Sequence, residues 1–377
     1  MPVFFASTAK GLVEPLYNEL EKLGYKGLKR VPSGVEFETS WEGCYRANLQ
    51  SRLASRILKP ILEFTAYQPE ELYGQILNHD FTRYIKPSQT LAVDASVQEG
   101  MMRDQRFVAL KVKDAIVDQF REKFDVRPNV DREDPTLRVW VRAFKNKFHV
   151  AIDTSGDPLN QRGYRKEVGE APIKENLAAG LLDLAEWDEK SSIVDPMCGS
   201  GTILIEAALR VSRIAPGSLR KRFAFQKFQN FDADVWEKVV DETLEAEISD
   251  PEIKFYGFDV DRKVLIKAKE NAKRAGVDHL IEFRNSPIAV LDRPVDEGVI
   301  ITNPPYAVRL GDEDNVKDIY RDFSHTLKSQ FKGWNAWILS GNKDLISELR
   351  LKSTRKHFVF NGPIECRFLK YEVRSLG

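Results

Sequence analysis

Asp195-Pro196-Met197-Cys198-Gly199-Ser200-Gly201-Thr202 is a strand end running through a glycine loop into a helix. Gly199 and Gly201 let the backbone turn sharply and come close to a ligand that a Cβ would hold off. A helix starting near Ser200 offers unpaired N–H groups to polar ligand atoms. A dinucleotide fingerprint needs G-x-G-x-x-G, and a P-loop needs a lysine before its Ser or Thr. The stretch carries neither, and with an acid ahead of it the loop suits a nucleotide-like cofactor held by residues 195–202. The bland alternative is a tight turn without a ligand.

Around this stretch the chain reads as a parallel, doubly wound α/β sheet. From Pro172 onward apolar strand-like runs at 192–195, 254–259, 281–285, 298–302 and 336–339 alternate with helical patterns. Phe358–Phe360 and Cys366–Tyr371, separated by Asn361-Gly362-Pro363, predict a closing antiparallel hairpin. Open sheets of this kind bind ligands at the carboxyl ends of their strands, near the topological switch. Asp259 ends the second strand, where a carboxylate accepts hydrogen bonds from ribose hydroxyls. It lies further from the glycine loop than the usual ~20 residues, which an inserted loop and helix over 215–251 explains.

A second motif, Asn303-Pro304-Pro305-Tyr306, ends the strand at 298–302. Two prolines fix the turn, so the Asn303 amide and the Pro304 carbonyl face outward as two acceptors for the hydrogens of an amine. Tyr306 is placed to stack on a flat base, a contact worth roughly 1–3 kcal/mol. An exocyclic amine is a poor nucleophile because its lone pair is delocalised into the ring. Hydrogen bonds that favour a tetrahedral nitrogen, with alignment on an electrophilic methyl, meet that difficulty without a catalytic base. The two motifs together point to methyl transfer onto a nucleobase amine. The alternative for the second is a plain turn with a packing tyrosine.

The N-terminal part reads as two α+β units. Residues 2–6 predict a strand, Leu12, Leu16, Leu20 and Leu23 a helix, Val35 and Phe37 a strand, and Tyr45, Leu49, Leu53 and Ile57 a second helix. Val93, Ala95 and Val97 alternate as in a strand; Val108, Val112, Ile116, Phe120 and Phe124 line one helix face. Residues 137–143 and 148–152 form a hairpin about Lys145-Asn146-Lys147. Arg138, Trp140 and Arg142 share the hairpin face opposite the apolar residues. Cation–aromatic–cation on one strand suits RNA contact, and interdomain packing with solvated arginines suits it equally. The expected organisation is residues 1–60, 61–155, a linker at 156–171, and 172–377.

The 377 residues carry 57 basic and 57 acidic side chains, so a simple polybasic nucleic-acid binder is excluded and any such contact comes from local patches. Three separated cysteines offer neither a disulfide framework nor a metal pattern, and the five histidines lack ligand spacing, so no metal is expected. Without an apolar run of membrane-spanning length or a basic n-region, a cytoplasmic location is the default.

These residues resemble a known family. The segment from Pro172 onward is similar to class I S-adenosylmethionine-dependent methyltransferases, with 195–202 as the first motif and 303–306 as the amino-methylating motif. Residues 61–155 resemble a THUMP RNA-binding domain, preceded by a ferredoxin-like domain. Gln161-Arg162-Gly163-Tyr164-Arg165, Ala171-Pro172-Ile173-Lys174-Glu175, Arg213-Ile214-Ala215-Pro216-Gly217 and Asn361-Gly362-Pro363 narrow the resemblance to the guanine-N2 methyltransferases of bacterial 23S ribosomal RNA. It implies that Asp195, Pro196, Cys198, Gly199, Ser200, Gly201 and Thr202 form the methionine and ribose side of the site. Asp259 would bind the ribose hydroxyls, and Tyr164, Pro172 and Glu175 would lie in the segment closing over the cofactor. Asn303, Pro304, Pro305 and Tyr306 would hold the base. Many relatives carry an acid for the adenine amine after the third strand; this chain has Asn285 and Ser286 there, which the resemblance implies as cofactor-binding, with an amide or backbone contact in place of the acid. Some also carry a second domain making 7-methylguanine; with the sequence ending at Gly377, that activity is not expected. The rival readings are a tRNA guanine-N2 methyltransferase, an adenine-N6 DNA methyltransferase, and a non-catalytic RNA-binding assembly factor.

Overall fold

The computed structural model describes residues 1–165, 173–305 and 313–374. The first unit comprises β1 (Val3–Ser7), α1 (Val13–Lys22), β2 (Lys26–Val31), β3 (Gly34–Glu38) and α2 (Trp41–Gln50). Leu16 and Leu20 on α1 are buried, as the 3.6-residue spacing requires. The helix expected to include Leu53 and Ile57 stops at Gln50. Ser51 turns extended, its hydroxyl donates to Glu19 Oε2 at 2.6 Å, and Glu19 Oε1 accepts from the Arg52 N–H at 2.7 Å. A carboxylate that captures the next backbone donors competes with continued helix, and β-branched Ile57 joins a strand instead.

That strand, β4 (Arg56–Thr65), is followed by α3 (Pro69–Leu77), β5 (Thr90–Gln98), α4 (Gln105–Phe124), β6 (Asn129–Val130), β7 (Leu137–Phe144) and β8 (Lys147–Asp153). β4 runs through residue 60 and pairs with β1 on one side and β8 on the other, so both N-terminal units share one sheet of order β2-β3-β1-β4-β8-β7-β5-β6. Its register shifts between Pro60 and Leu62, where proline has no N–H for the ladder. The β7–β8 hairpin turns on Lys145 and Asn146, both at positive φ, which suits the twist of a two-residue turn.

The third unit comprises α5 (Glu175–Leu184), β9 (Ile193–Asp195), α6 (Thr202–Val211), α7 (Ala233–Glu245), β10 (Phe255–Asp259), α8 (Arg262–Arg274), β11 (Ile281–Asn285), β12 (Val299–Thr302), α9 (Glu313–Gln330), β13 (Asn335–Ser340), α10 (Lys343–Glu348), β14 (Ser353–Asn361) and β15 (Ile364–Glu372). Its sheet has the order β11-β10-β9-β12-β13-β15-β14, parallel through β13 and closed by the antiparallel β14–β15 hairpin. The chain moves outward from β9 to β11 and then returns to the other side of β9, so the topological switch lies between β9 and β12.

The insertion between α6 and β10 binds the two halves together. Tyr45 of α2 stacks on Phe225 at 4.4 Å between ring centroids and meets Phe231 and Trp236 edge-on. Arg46 pairs with Glu242, and the Gly217 N–H donates to the Leu49 carbonyl at 2.8 Å. From the other side, Arg52 donates to the carbonyls of Leu209 and Ile214. Aromatic burial on this scale fixes the N-terminal sheet relative to the parallel sheet. Among the described residues no helix is long and apolar enough to cross a membrane.

Candidate active site

Both sequence motifs leave the carboxyl ends of β9 and β12, neighbouring parallel strands flanking the switch point. The glycine loop is stitched to three strand ends. Asp195 Oδ1 accepts from the Met197 N–H at 3.2 Å and from the Thr302 hydroxyl at 2.6 Å. The Cys198 N–H donates to the Phe258 carbonyl at 2.8 Å, and the Gly199 N–H donates to Asp259 Oδ2 at 3.0 Å. A second carboxylate oxygen, Asp259 Oδ1, accepts from the Asp261 N–H, which sets the start of α8.

Two glycines in this loop have different reasons to be glycine. Both have positive φ, +54° at Gly199 and +77° at Gly201. A Cβ on Gly201 would lie 2.9 Å from the Phe283 ring, so this residue lets α6 pack closely on the sheet. A Cβ on Gly199 would meet nothing within 4 Å. Gly199 instead walls a cavity of about 790 Å³ also lined by Asp195, Asp259, Ser286, Asn303 and Pro304. That volume is within the range of small-molecule sites and suits a nucleoside joined to an amino acid. Pro196, Cys198, Ser200, Thr202 and Pro305 line it too.

Electrostatics differ along the wall. Asp195 is 2% exposed, and burial pushes its titration up to about 7 despite the two donors at Oδ1. Burial also raises Asp259, against the pull of its backbone donors. The Cys198 thiol is held well above its ordinary value by burial and by the neighbouring Asp195 and Asp259 carboxylates, which leaves it neutral and unsuited to nucleophilic attack. Asn303 lines the cavity, and its buried Oδ1 has no hydrogen-bond partner among the described residues. An unpaired buried carbonyl is costly unless a ligand donor meets it.

Several expected residues stand behind the wall rather than on it. Tyr164 is buried beneath α6 and donates its hydroxyl to Glu206 Oε1 at 3.1 Å. Glu175 is buried 3.6 Å from Arg165 Nε. Arg165 and Ile173 of that segment line the cavity, and Arg165 donates to Thr202 Oγ1 and to the Ile173 carbonyl. Asn285 is occupied on the far side: its Oδ1 accepts from Arg262 Nε at 3.0 Å and its Nδ2 donates to the Asp259 and Val260 carbonyls. Pro172 and Tyr306 lie outside the described residues. Sequence reasoning missed Arg165 and the α8 face of Lys267, Glu270, Asn271 and Arg274, which also lines the cavity. The i, i+3, i+4, i+7 spacing of those four polar residues was the available signal.

The trio on β7 is engaged within the protein. Arg138 pairs with Asp94 and donates to the Arg132 carbonyl, and Trp140 Nε1 donates to the buried Asp153 at 3.1 Å. Arg142 is exposed and donates to Ser33 Oγ at 2.7 Å. No cluster of potential metal ligands occurs among the described residues.

Comparisons with known proteins agree with this architecture. The RMKL-like methyltransferase-domain family matches residues 162–370, the RlmL ferredoxin-like domain matches 3–58 and the THUMP domain matches 66–153. The ribosomal RNA large subunit methyltransferase K/L of Methylococcus capsulatus is 40% identical over 98% of this chain and 51% of its own length. The chain thus spans about half the length of the first curated relatives it matches. A Synechocystis sp. protein whose name describes an RNA methyltransferase is 37% identical over 98% of this chain and 96% of its own. Among solved structures, the methyltransferase SMU.472 complexed with SAH superposes with a TM-score of 0.90 at 28% identity, covering 100% of this chain and 99% of that one. The chain belongs to the RMKL-like methyltransferase family, with a ferredoxin-like and a THUMP domain ahead of the methyltransferase domain.

Proposed function

We propose that this protein methylates the exocyclic N2 of a guanine in 23S ribosomal RNA. One observation carries the reading: Asn303, whose buried Oδ1 has no hydrogen-bond partner among the described residues, lines the same cavity as Asp195, Gly199 and Asp259. S-adenosylmethionine supplies an electrophilic methyl when bound. Asp195, Gly199 and Thr202 hold its methionine side and Asp259 its ribose. The target base leaves its stack and enters beside Asn303, with Pro305 closing the turn and Tyr306 stacking on the ring. Asn303 Oδ1 and the Pro304 carbonyl each accept one hydrogen of the amine, turning its lone pair toward the methyl. As the N–C bond forms and the C–S bond breaks, the nitrogen becomes cationic and releases a proton to water. The ferredoxin-like and THUMP domains supply RNA contacts, to which exposed Arg142 contributes. The relatives named as large-subunit methyltransferases support the choice of rRNA over tRNA.

The test is methyl transfer from labelled S-adenosylmethionine to 23S rRNA, bulk tRNA and duplex DNA from cells lacking the enzyme, with nucleoside analysis. N2-methylguanosine in 23S rRNA alone is expected. Label in tRNA or N6-methyladenine in DNA overturns the substrate, and no label with intact cofactor binding overturns catalysis. Asn303→Ala is expected to lower turnover by about 100-fold or more while calorimetric cofactor binding persists. Loss of both in step would remove Asn303 from the base-binding role.

A further inference from the structure

The adenine of the cofactor carries an exocyclic amine that loses water on binding and needs an acceptor. The ribose acid fixes where that amine lies. With Asp259 on the ribose hydroxyls and Asn303 at the methyl end, the adenine occupies the end of the cavity lined by Val260 and residues 286–289. Val260 is 70% exposed, an apolar side chain that a flat ring would cover. Asn285, which ends β11 at this point, has its amide oxygen turned to Arg262. The Ser286 hydroxyl donates to the Pro287 carbonyl at 3.2 Å.

A carboxylate reaches this end from a different element. Thr326 on α9 donates its hydroxyl to the Ile288 carbonyl at 2.7 Å, fixing which face of α9 meets the 288–290 turn. Asp322 lies one turn earlier on the same face, and Ile319 three residues before that; both line the cavity together with Ser286, Pro287 and Ile288. Of the lining carboxylates, Asp195 is bound by Thr302, Asp259 by two backbone amides, and Glu270 by Arg274 at 2.8 Å. Asp322 makes no hydrogen bond or ion pair among the described residues.

We propose that Asp322 of α9 accepts the hydrogens of the adenine exocyclic amine and so selects the adenine base of the cofactor. This inference rests on the cofactor-site reading above, since Asp259 sets the direction. α9 is the next described element after the Asn303–Pro305 turn.

The experiment is calorimetric titration of the full chain with S-adenosylhomocysteine and with its analogue bearing hydrogen in place of the adenine 6-amino group. The wild type is expected to prefer S-adenosylhomocysteine by about tenfold, the scale of one charge-assisted hydrogen bond at a solvated rim. Asp322→Ala is expected to abolish that preference by weakening S-adenosylhomocysteine alone. Asp322→Asn, which keeps an acceptor oxygen, is expected to retain part of it. A preference that persists undiminished in Asp322→Ala, or equal weakening of both ligands, overturns the assignment. If the wild type binds neither compound, the cofactor-site reading falls, and this inference with it.

Discussion

Asp195 is held in the fold at an energetic disadvantage, and replacing it with asparagine separates stability from cofactor binding. The native carboxyl titrates near 7 against 3.8 for the free group, because burial penalises its charged form. A native group that holds its proton more tightly than the unfolded one imposes no penalty below pH 3.8. The penalty then grows as pH rises and is complete above about 7, at about 4 kcal/mol. The asparagine amide of Asp195→Asn keeps an oxygen for the Thr302 hydroxyl and the Met197 N–H, the two bonds Asp195 Oδ1 makes, without an ionisable group. The stability advantage of this variant should therefore grow by about 2.5 kcal/mol between pH 5 and pH 8 and then level off. On typical unfolding entropies this widens the melting-temperature gap on the order of 3–6 °C over the same range. Differential scanning calorimetry of both proteins at pH 5, 6, 7 and 8 measures it. In the same variant the Kd for S-adenosylhomocysteine should weaken about tenfold at pH 8, where the wild type presents a carboxylate to the ligand's ammonium group. A melting-temperature difference that does not change with pH would refute the assignment of a strained, ionised Asp195.

The two loop glycines should fail differently. Gly201→Ala drives a Cβ to 2.9 Å from the Phe283 ring at a left-handed position, and about 2 kcal/mol of stability should be lost in urea titration. Gly199→Ala, whose Cβ faces open cavity, should lose about 1 kcal/mol of stability and weaken cofactor binding disproportionately; equal behaviour of the two variants would contradict the separate roles. Tyr164→Phe removes the buried hydroxyl from Glu206 and should cost about 1–3 kcal/mol by chemical denaturation. Cofactor Kd should stay within about twofold, since Tyr164 stands outside the cavity wall; weaker binding at unchanged stability would return Tyr164 to the site.

The amino-acid sequence alone determined the parallel sheet and the two motifs at its strand ends, for a local reason. Glycine, proline and strand-ending acids act through backbone freedom and position within a few residues, so 195–202, Asp259 and Asn303–Pro305 meet in one cavity as their local chemistry implies. The helix expected through Leu53 and Ile57 failed for a distant reason: Glu19, 32 residues before Ser51, captures the donors that would have continued it. Nor does sequence say that residues 223–236 wedge aromatic rings against Tyr45, because such contacts have no fixed spacing. Tyr164 and Glu175 sit on the segment the resemblance pointed to, but Arg165 and Ile173 are the described members that line the cavity, because Glu206 and burial draw Tyr164 beneath α6. Asn285 was read as a ligand by its place after β11; its amide was already committed to Arg262 and the 259–260 backbone. Only the packing of α9 on the 288–290 turn brings Asp322, 36 residues from Ser286, to the same wall. Local chemistry determined the motifs, and tertiary packing decided which polar atoms remained free to meet a ligand.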